Sequence, residues 1–218
     1  KLTIGSNVTT VLPSWSFNGG VLEELDVNCP FDRSTFAQIT TLKKVTLGNS
    51  ITEIPEMAFL NCTGLQTVSI PSGLTKIGTQ AFFGCYSLQN VTLPEFLTEI
   101  GYQAFRDCDA LTSITFPDSL EKVGDQAFFI TTNGTNGEHT GSLTTVTFGT
   151  KIPTFLTSDG QESDNPGLFL GQNQLKTVDM SRCKNTTISA GLFSGLTALE
   201  TIIFPTGLTE IGDRAVTN

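Results

Sequence analysis

The sequence predicts a solenoid, in which short repeats stack as coils and each coil contributes one strand to a shared parallel sheet. The main observation is a motif, Leu-x-x-(Val/Ile/Leu)-x-apolar, that occurs eight times along the 218 residues. Its copies begin at Leu22, Leu42, Leu65, Leu88, Leu111, Leu143, Leu175 and Leu199. Successive copies start 20, 23, 23, 23, 32, 32 and 24 residues apart. A period in this range is typical of repeat proteins, whose repeats bury their apolar faces against one another. We therefore predict a single domain over residues 1–218, with about eight to nine repeats.

The first half of each repeat reads as a strand. In the copy LQTVSI, Leu65, Val68 and Ile70 alternate with polar residues, so we expect the apolar side chains to face the core and the polar ones the solvent. Pro71 lacks the amide that would continue a strand ladder, and the Ser-Gly pair after it predicts a turn.

The second half of each repeat predicts another short extended stretch and then a helical turn. The stretch is LTKI from Leu74, and the segment TQAFFGC from Thr79 predicts one or two turns of helix with Ala81 and Phe82 facing inward. An aromatic residue stands six positions before most copies of the motif. Stacked coils lie about 4.8 Å apart, so these rings should form one stacked column. The column comprises Phe36, Phe59, Phe82, Phe105, Phe128, Phe169 and Phe193.

The full pattern, LxxVxLPxxLxxIGxxAFxxC, closely resembles the BspA-like leucine-rich repeat family. It is clearest over residues 65–85, 88–108 and 111–128, and the resemblance extends over nearly the whole chain. The resemblance implies an α/β fold, a right-handed solenoid curved like a horseshoe, with a parallel sheet on the concave side and short strands and short helices on the convex side. Members of the family look like surface-exposed or secreted proteins of host-associated bacteria and some protist parasites, several of them adhesins, with no common catalytic residues.

Two spacings of 32 residues instead of 23 predict loop insertions near residues 129–142 and 154–167. Both segments are rich in Gly, Asn and acidic residues, which is typical of surface loops. Asp159, Glu162 and Asp164 in the second could bind calcium, but their spacing fits no known calcium loop, and a solvated loop is the simpler interpretation.

Composition and motifs argue against several classes of function. A net charge of −9 disfavours nucleic acid as a partner, and no apolar run is long enough to span a bilayer. The one histidine, His139, lies in a Gly-rich loop with no fixed base or nucleophile evident nearby, which argues against acid–base catalysis. We predict no catalytic residue, cofactor or metal site.

Three of the five cysteines, Cys62, Cys85 and Cys108, are 23 residues apart and should stack. We interpret them as buried free thiols that pack as small apolar groups; a disulfide between neighbouring coils is the alternative. Asn-x-Ser/Thr sequons, which carry glycans in some secreted proteins, are coincidental in a Thr-rich chain on the simpler interpretation. They occur at Asn7, Asn61, Asn90, Asn133 and Asn185.

The outward side chains of the motif strands form the candidate binding surface on the concave face. We select Lys44, Thr67, Ser69, Asn90, Thr92, Ser113, Thr115, Thr145 and Thr147. The alternative is that these residues are structural, since Thr favours strands and its hydroxyl can pair across them. A hydroxyl-rich face without aromatic anchors favours weak or multivalent contacts.

The resulting hypothesis is an extracellular or cell-surface module that mediates protein–protein or host-surface adhesion. A glycan-binding accessory of a bacterial carbohydrate-uptake system is one alternative. A passive spacer that holds another domain away from the cell is the other.

Overall fold

The computed structural model describes residues 1–8, 21–131, 139–163 and 167–216. These residues form fifteen short strands joined by turns. In chain order the strands are β1 (Leu2–Ile4), β2 (Glu24–Val27), β3 (Lys44–Leu47), β4 (Glu53–Ile54), β5 (Thr67–Ser69), β6 (Lys76–Ile77), β7 (Glu99–Ile100), β8 (Ser113–Thr115), β9 (Lys122–Gly124), β10 (Thr145–Thr147), β11 (Thr154–Leu156), β12 (Thr177–Asp179), β13 (Thr187–Ile188), β14 (Thr201–Ile203) and β15 (Glu210–Ile211).

The motif strands stack in parallel and in register, as their period predicts. They form two four-stranded sheets, in the orders β1-β2-β3-β5 and β8-β10-β12-β14, and together we call these the main sheet. Val45 pairs with Leu25 on one side and Val68 on the other, so the same motif position recurs from coil to coil. Each strand thus covers the apolar edge of the previous one, which is how a solenoid builds its core.

The main sheet is divided at the fourth copy of the motif, between β5 and β8. Here only Asn90 pairs with a neighbouring coil, through a bridge to Thr67. Within the described ranges, the peptide groups of Thr92 and Leu93 make no backbone hydrogen bond. The main sheet is therefore interrupted, whereas the motif alone predicts one continuous sheet.

The predicted second strands are present on the other side of each coil. They form a five-stranded parallel sheet, β11-β9-β7-β6-β4, and a separate pair, β13-β15, which we call the second sheet. Outward residues of this sheet alternate in charge, because Glu53 pairs with Lys76, Lys76 with Glu99 and Glu99 with Lys122. The Lys76 Nζ lies 3.1 Å from the Glu99 Oε1, so opposite charges on neighbouring coils favour this register.

The prediction of short helices is wrong, because the described residues form no helix. The segment from Thr79 to Cys85 is a turn whose peptide groups bond to the neighbouring coil. The Phe82 N–H donates to the Ala104 carbonyl of the next coil at 2.8 Å. In an α-helix this N–H would instead donate to the carbonyl four residues earlier in the same segment. Gln80 and Gln103, just before the Ala-Phe pair of their turns, both have φ of 54°, in the left-handed region that single residues visit but helices do not. The fold is a β-solenoid of stacked coils, and none of its described elements is a helix that could cross a membrane.

The predicted column of phenylalanine rings forms the centre of the core. From Phe36 to Phe169, successive ring centroids are 5.8, 5.4, 5.2, 5.3 and 5.9 Å apart, with the planes within 25° of parallel. The last predicted ring, Phe193, lies edge-on to Phe148 at 6.3 Å. One hydrophobic cluster runs from Leu25 to Ala215 and includes all of these rings.

A second column, of glycines, sets how closely the coils approach. Gly78, Gly101 and Gly124 each follow a strand of the second sheet or end it. A Cβ atom at these positions would lie 2.6, 2.5 and 2.2 Å from a backbone nitrogen of the preceding coil. Only glycine leaves room for this contact between two backbones.

The first residues of both predicted insertion ranges belong to the stacked coils. Thr154–Leu156 form β11 and pair with β9, so the extra residues of the second insertion follow Leu156. The Ile130 N–H donates to the Leu170 carbonyl at 2.9 Å, so this residue belongs to the stacked turns and not to the first insertion. Residues 132–138 and 164–166 lie outside the described part of the chain.

Candidate binding surface

The predicted binding residues lie together on the outer side of the main sheet, which we call the main-sheet face. Lys44 is in register with Thr67, Thr67 with Asn90, and Ser113 with Thr145. The exposed members are Lys44, Thr67, Ser69, Asn90, Thr92, Ser113 and Thr115, while Thr145 and Thr147 are half-buried. The alternation of the strands places them there, because their neighbours in each strand are buried.

Most hydroxyl groups among the candidate residues of this face are free of the cross-strand pairing that a purely structural role would use; Thr46, also on the face, does bond to Asp26 of the neighbouring strand. Among the described residues, the side chains of Thr67, Ser69, Thr92, Ser113 and Thr115 take part in no hydrogen bond within the protein. Threonines outside the face do bond across coils; the Thr98 hydroxyl, for example, donates to the Thr75 carbonyl at 3.0 Å. These five hydroxyls of the main-sheet face are therefore open to solvent or to a ligand.

Two shallow depressions lie side by side on the main-sheet face. One, of about 650 Å³, is lined by Lys44, Thr67 and Ser69. The other, of about 560 Å³, is lined by Asn90 and Ser113 as well as other residues. Thr92, at the interruption of the main sheet, lines both. The depressions thus meet at the segment where the backbone pairing is lost.

Two residues of the second depression, Asp118 and Arg182, were not found from the sequence. The Arg182 Nη2 lies 3.1 and 3.0 Å from the two carboxylate oxygens of Asp118, and the Thr150 N–H donates to the same carboxylate at 3.0 Å. Arg182 and Asp118 are 64 residues apart and belong to coils that are not adjacent. Both residues stand seven positions after a motif leucine, Leu111 and Leu175, but the repeat pattern alone does not show that side chains two coils apart make contact.

A further residue that sequence reasoning missed is Phe96, in the turn that follows the interrupted copy. Its side chain is 58% exposed, and its neighbour Glu95 lines the second depression. The turn reads Pro-Glu-Phe-Leu here, whereas the corresponding turns with Gly73 and Gly207 read Pro-Ser-Gly-Leu and Pro-Thr-Gly-Leu. An aromatic residue in place of a turn glycine was the available signal; Phe96 itself lines neither depression.

His139 has fixed partners, contrary to the expectation from sequence. Its Nδ1 lies 2.6 Å from the Asp109 Oδ2, and its ring stacks on Tyr86 with centroids 4.7 Å apart. Burial raises the pKa of Asp109, and the hydrogen bond from His139 opposes this in part. The contacts hold the end of the first insertion against the stack, so we assign this cluster a structural role.

The cysteines are free and buried, which confirms the interpretation as packed thiols. The thiols of Cys62, Cys85 and Cys108 donate to phenylalanine carbonyls of the preceding coil at 3.1, 3.3 and 3.3 Å. Burial raises the pKa of Cys62 to about 12. The column therefore satisfies buried carbonyl groups, and its thiols are unsuited to nucleophilic chemistry, which requires the thiolate.

Comparison with known proteins agrees with this architecture. A family model described as BspA type leucine rich repeat region matches residues 30–158 and 141–218, in six copies. This chain belongs to the BspA-type leucine-rich repeat family. A comparison with curated proteins gives no match.

Solved structures of bacterial proteins resemble this BspA-type protein over most of its length. The T. pallidum leucine rich repeat protein is 25% identical with a TM-score of 0.65, over 83% of this chain and 79% of that one. A leucine rich cell surface protein from Faecalibacterium prausnitzii A2-165 is 20% identical with a TM-score of 0.64, over 96% of this chain and 64% of that one. The likeness supports the stacked-coil fold.

The remaining sequence features of the BspA-type protein are placed as follows. The Asn185 Oδ1 accepts from the Ile152 N–H at 2.7 Å, and Asn61 is half-buried, so neither sequon is well placed for a glycan. Asn7 and Asn90 are exposed, and Asn133 lies outside the described residues. Of the acidic residues considered for calcium, Asp164 is also outside them; Asp159 accepts a hydrogen bond from Thr157, and the described residues hold no cluster of three metal-ligating side chains.

Proposed function

We propose that this BspA-type repeat protein is a non-catalytic module that binds a protein ligand through its main-sheet face and mediates protein–protein or host-surface adhesion. The observation that carries the proposal is the pair of depressions that meet at Thr92, on a face where the hydroxyls of Thr67, Ser69, Thr92, Ser113 and Thr115 have no partner among the described residues. Ligands recognised by such a surface bind by hydrogen bonds spread over several coils.

The size of the face supports a protein ligand. The nine coils that carry motif strands or the interrupted copy are spaced about 4.8 Å apart, which gives a face roughly 40 Å long. This length suits a protein surface of ordinary interface size, which buries about 800 Å² per partner. Exposed charges are few along the middle of the face, so the contact depends on hydrogen bonding and shape.

We also propose an extracellular or cell-surface location. The F. prausnitzii relative is described as a cell surface protein, and the family resemblance points the same way. The passive-spacer alternative is less well supported, because a spacer would not require a face with unpaired hydroxyls and two adjacent depressions.

The test is a binding comparison on a panel of purified matrix proteins and a glycan array. Thr115→Arg places a long charged side chain in the second depression, whereas Thr154→Arg makes the same change on an exposed strand of the second sheet. We expect wild type and Thr154→Arg to bind the same matrix protein equally, and Thr115→Arg to bind about tenfold or more weakly, the equivalent of one disrupted contact region.

Each other outcome has a defined meaning. Equal binding by both arginine variants would show that the main-sheet face is not the binding surface. Saturable binding to a polysaccharide, with none to matrix proteins, would favour the glycan-binding accessory. No binding by the wild type to either panel would favour the spacer.

A further inference from the structure

The fourth copy of the motif differs from its neighbours in two independent ways. Its strand is not paired beyond Asn90, so the peptide groups of Thr92 and Leu93 are without backbone partners in the described part of the chain. Its turn carries an exposed phenylalanine, Phe96, where the repeats with Gly73 and Gly207 have glycine. Within residues 90–96, which we call the split segment, residues 90–93 and Glu95 line the second depression, and Thr92 and Pro94 line the first.

The charge at the split segment is acidic. Glu95 is exposed and forms no ion pair among the described residues, whereas the nearby Asp118 is neutralised by Arg182. The chain as a whole carries a net charge of −9. Complementary charge selects partners and accelerates encounter, so this site favours a basic partner over an acidic one.

We propose that the split segment is the specificity centre of the main-sheet face and binds a polypeptide segment that presents an arginine or lysine side chain. The cation pairs with Glu95 and its aliphatic stem or guanidinium packs on Phe96. The proposal rests on the proposed function and names the chemistry of its ligand.

Two physical arguments favour this ligand. A cation over an aromatic face is attracted by the ring electrons, and the same contact occurs within this protein, where the Arg106 guanidinium carbon lies 4.7 Å from the Phe129 ring centroid. Exposed aromatic residues beside polar groups are frequent centres of binding energy.

Selection from random peptides tests the ligand chemistry of the split segment directly. A library of random peptides is panned against the full chain, and the enriched peptides are measured by titration against wild type, Phe96→Ala, Glu95→Gln, Thr115→Arg and the control Thr154→Arg. Phe96 is exposed and Glu95 is unpaired, so the two variants should fold normally, and unchanged thermal melting verifies this.

The expected result is enrichment of peptides with arginine or lysine, with binding reduced about tenfold by Phe96→Ala and by Glu95→Gln and unchanged by Thr154→Arg. Two results would overturn this inference and leave the proposed function standing. In the first, the peptides lose binding to Thr115→Arg but need no basic residue. In the second, they bind Phe96→Ala and Glu95→Gln as well as they bind wild type. Peptides insensitive to Thr115→Arg would contradict the proposed function itself. Failure to enrich any peptide counts against the inference.

Discussion

Replacing Gly101 by alanine tests the closest contact between coils. A Cβ atom there would lie 2.5 Å from the Thr79 nitrogen, 2.6 Å from the Gly78 carbonyl carbon and 2.9 Å from the Thr79 Cα. Since ordinary contact begins at 3.4 Å, the two coils would have to move apart by about 0.9 Å at this point (3.4 minus 2.5). All three atoms belong to the backbone, so no side chain can rotate to make room.

The structure sets the size of the effect. The Gly101 N–H donates to the Ile77 carbonyl at 2.8 Å, and a separation of this size would take the bond beyond the usual limit of about 3.2 Å. Loss of a buried hydrogen bond costs about 1 kcal/mol, and overpacking a filled site costs about 1–3 kcal/mol. We therefore expect Gly101→Ala to lower the free energy of unfolding by about 2–4 kcal/mol.

The matched control is Gly73→Ala, because a Cβ at Gly73 would have no atom within 4 Å and its φ is outside the left-handed region. This change should raise the free energy of unfolding by about 0.4–1 kcal/mol, since it restricts only the unfolded chain. Urea unfolding followed by circular dichroism measures both variants. A loss below about 0.5 kcal/mol for Gly101→Ala, the size of an ordinary surface change, would refute the argument that the glycine column sets the coil spacing.

Two further predictions concern the core. Phe82→Ala should lower the free energy of unfolding by about 3–5 kcal/mol, because the ring is fully buried between Phe59 and Phe105. In the same urea experiment, Phe96→Ala should change the free energy of unfolding by less than about 0.5 kcal/mol. Equal losses in the two variants would contradict the assignment of Phe82 to the core and Phe96 to the surface. All five cysteines should resist a thiol reagent at pH 8 in the folded state and react after denaturation. Unfolded thiols ionise near pH 8.5, whereas burial raises the pKa of Cys62 to about 12 in the folded state. The free energy of unfolding should therefore fall as pH rises between these values. Fewer than five reactive thiols after denaturation without reductant would indicate a disulfide.

The features that could be predicted from the sequence are those repeated at a constant period. A residue that recurs every 23 positions must meet its own equivalent when coils stack, so the strand register, the phenylalanine column and the buried thiols all follow from the spacing. The positions of the candidate binding residues follow as well, because alternation within a strand decides which side chains face outward.

The turn conformation could not be predicted in this way. The segment from Thr79 to Cys85 contains residues compatible with a helix, and nothing in its composition requires a left-handed φ at Gln80. A helical segment this short gains little from its own hydrogen bonds. Bonds to the next coil, such as that from the Phe82 N–H to the Ala104 carbonyl, therefore decide its conformation.

The candidate site depends on the tertiary structure for its details. The fourth copy of the motif, LQNVTLP, satisfies the pattern as well as LQTVSIP does, yet only the latter forms a full strand. The contact of Arg182 with Asp118 joins equivalent positions of two coils that are not adjacent, and that of His139 with Asp109 joins residues outside the repeat period.

The sequence by itself determined the stacking, the in-register core and the face that meets solvent, because periodic apolar residues have only one way to bury themselves all along the chain. Only the tertiary structure decided where the main sheet is interrupted, which turn exposes an aromatic ring and which charges remain unpaired. Those features differ between repeats that share one motif, because they arise from contacts that each repeat makes with other coils and not from the motif itself.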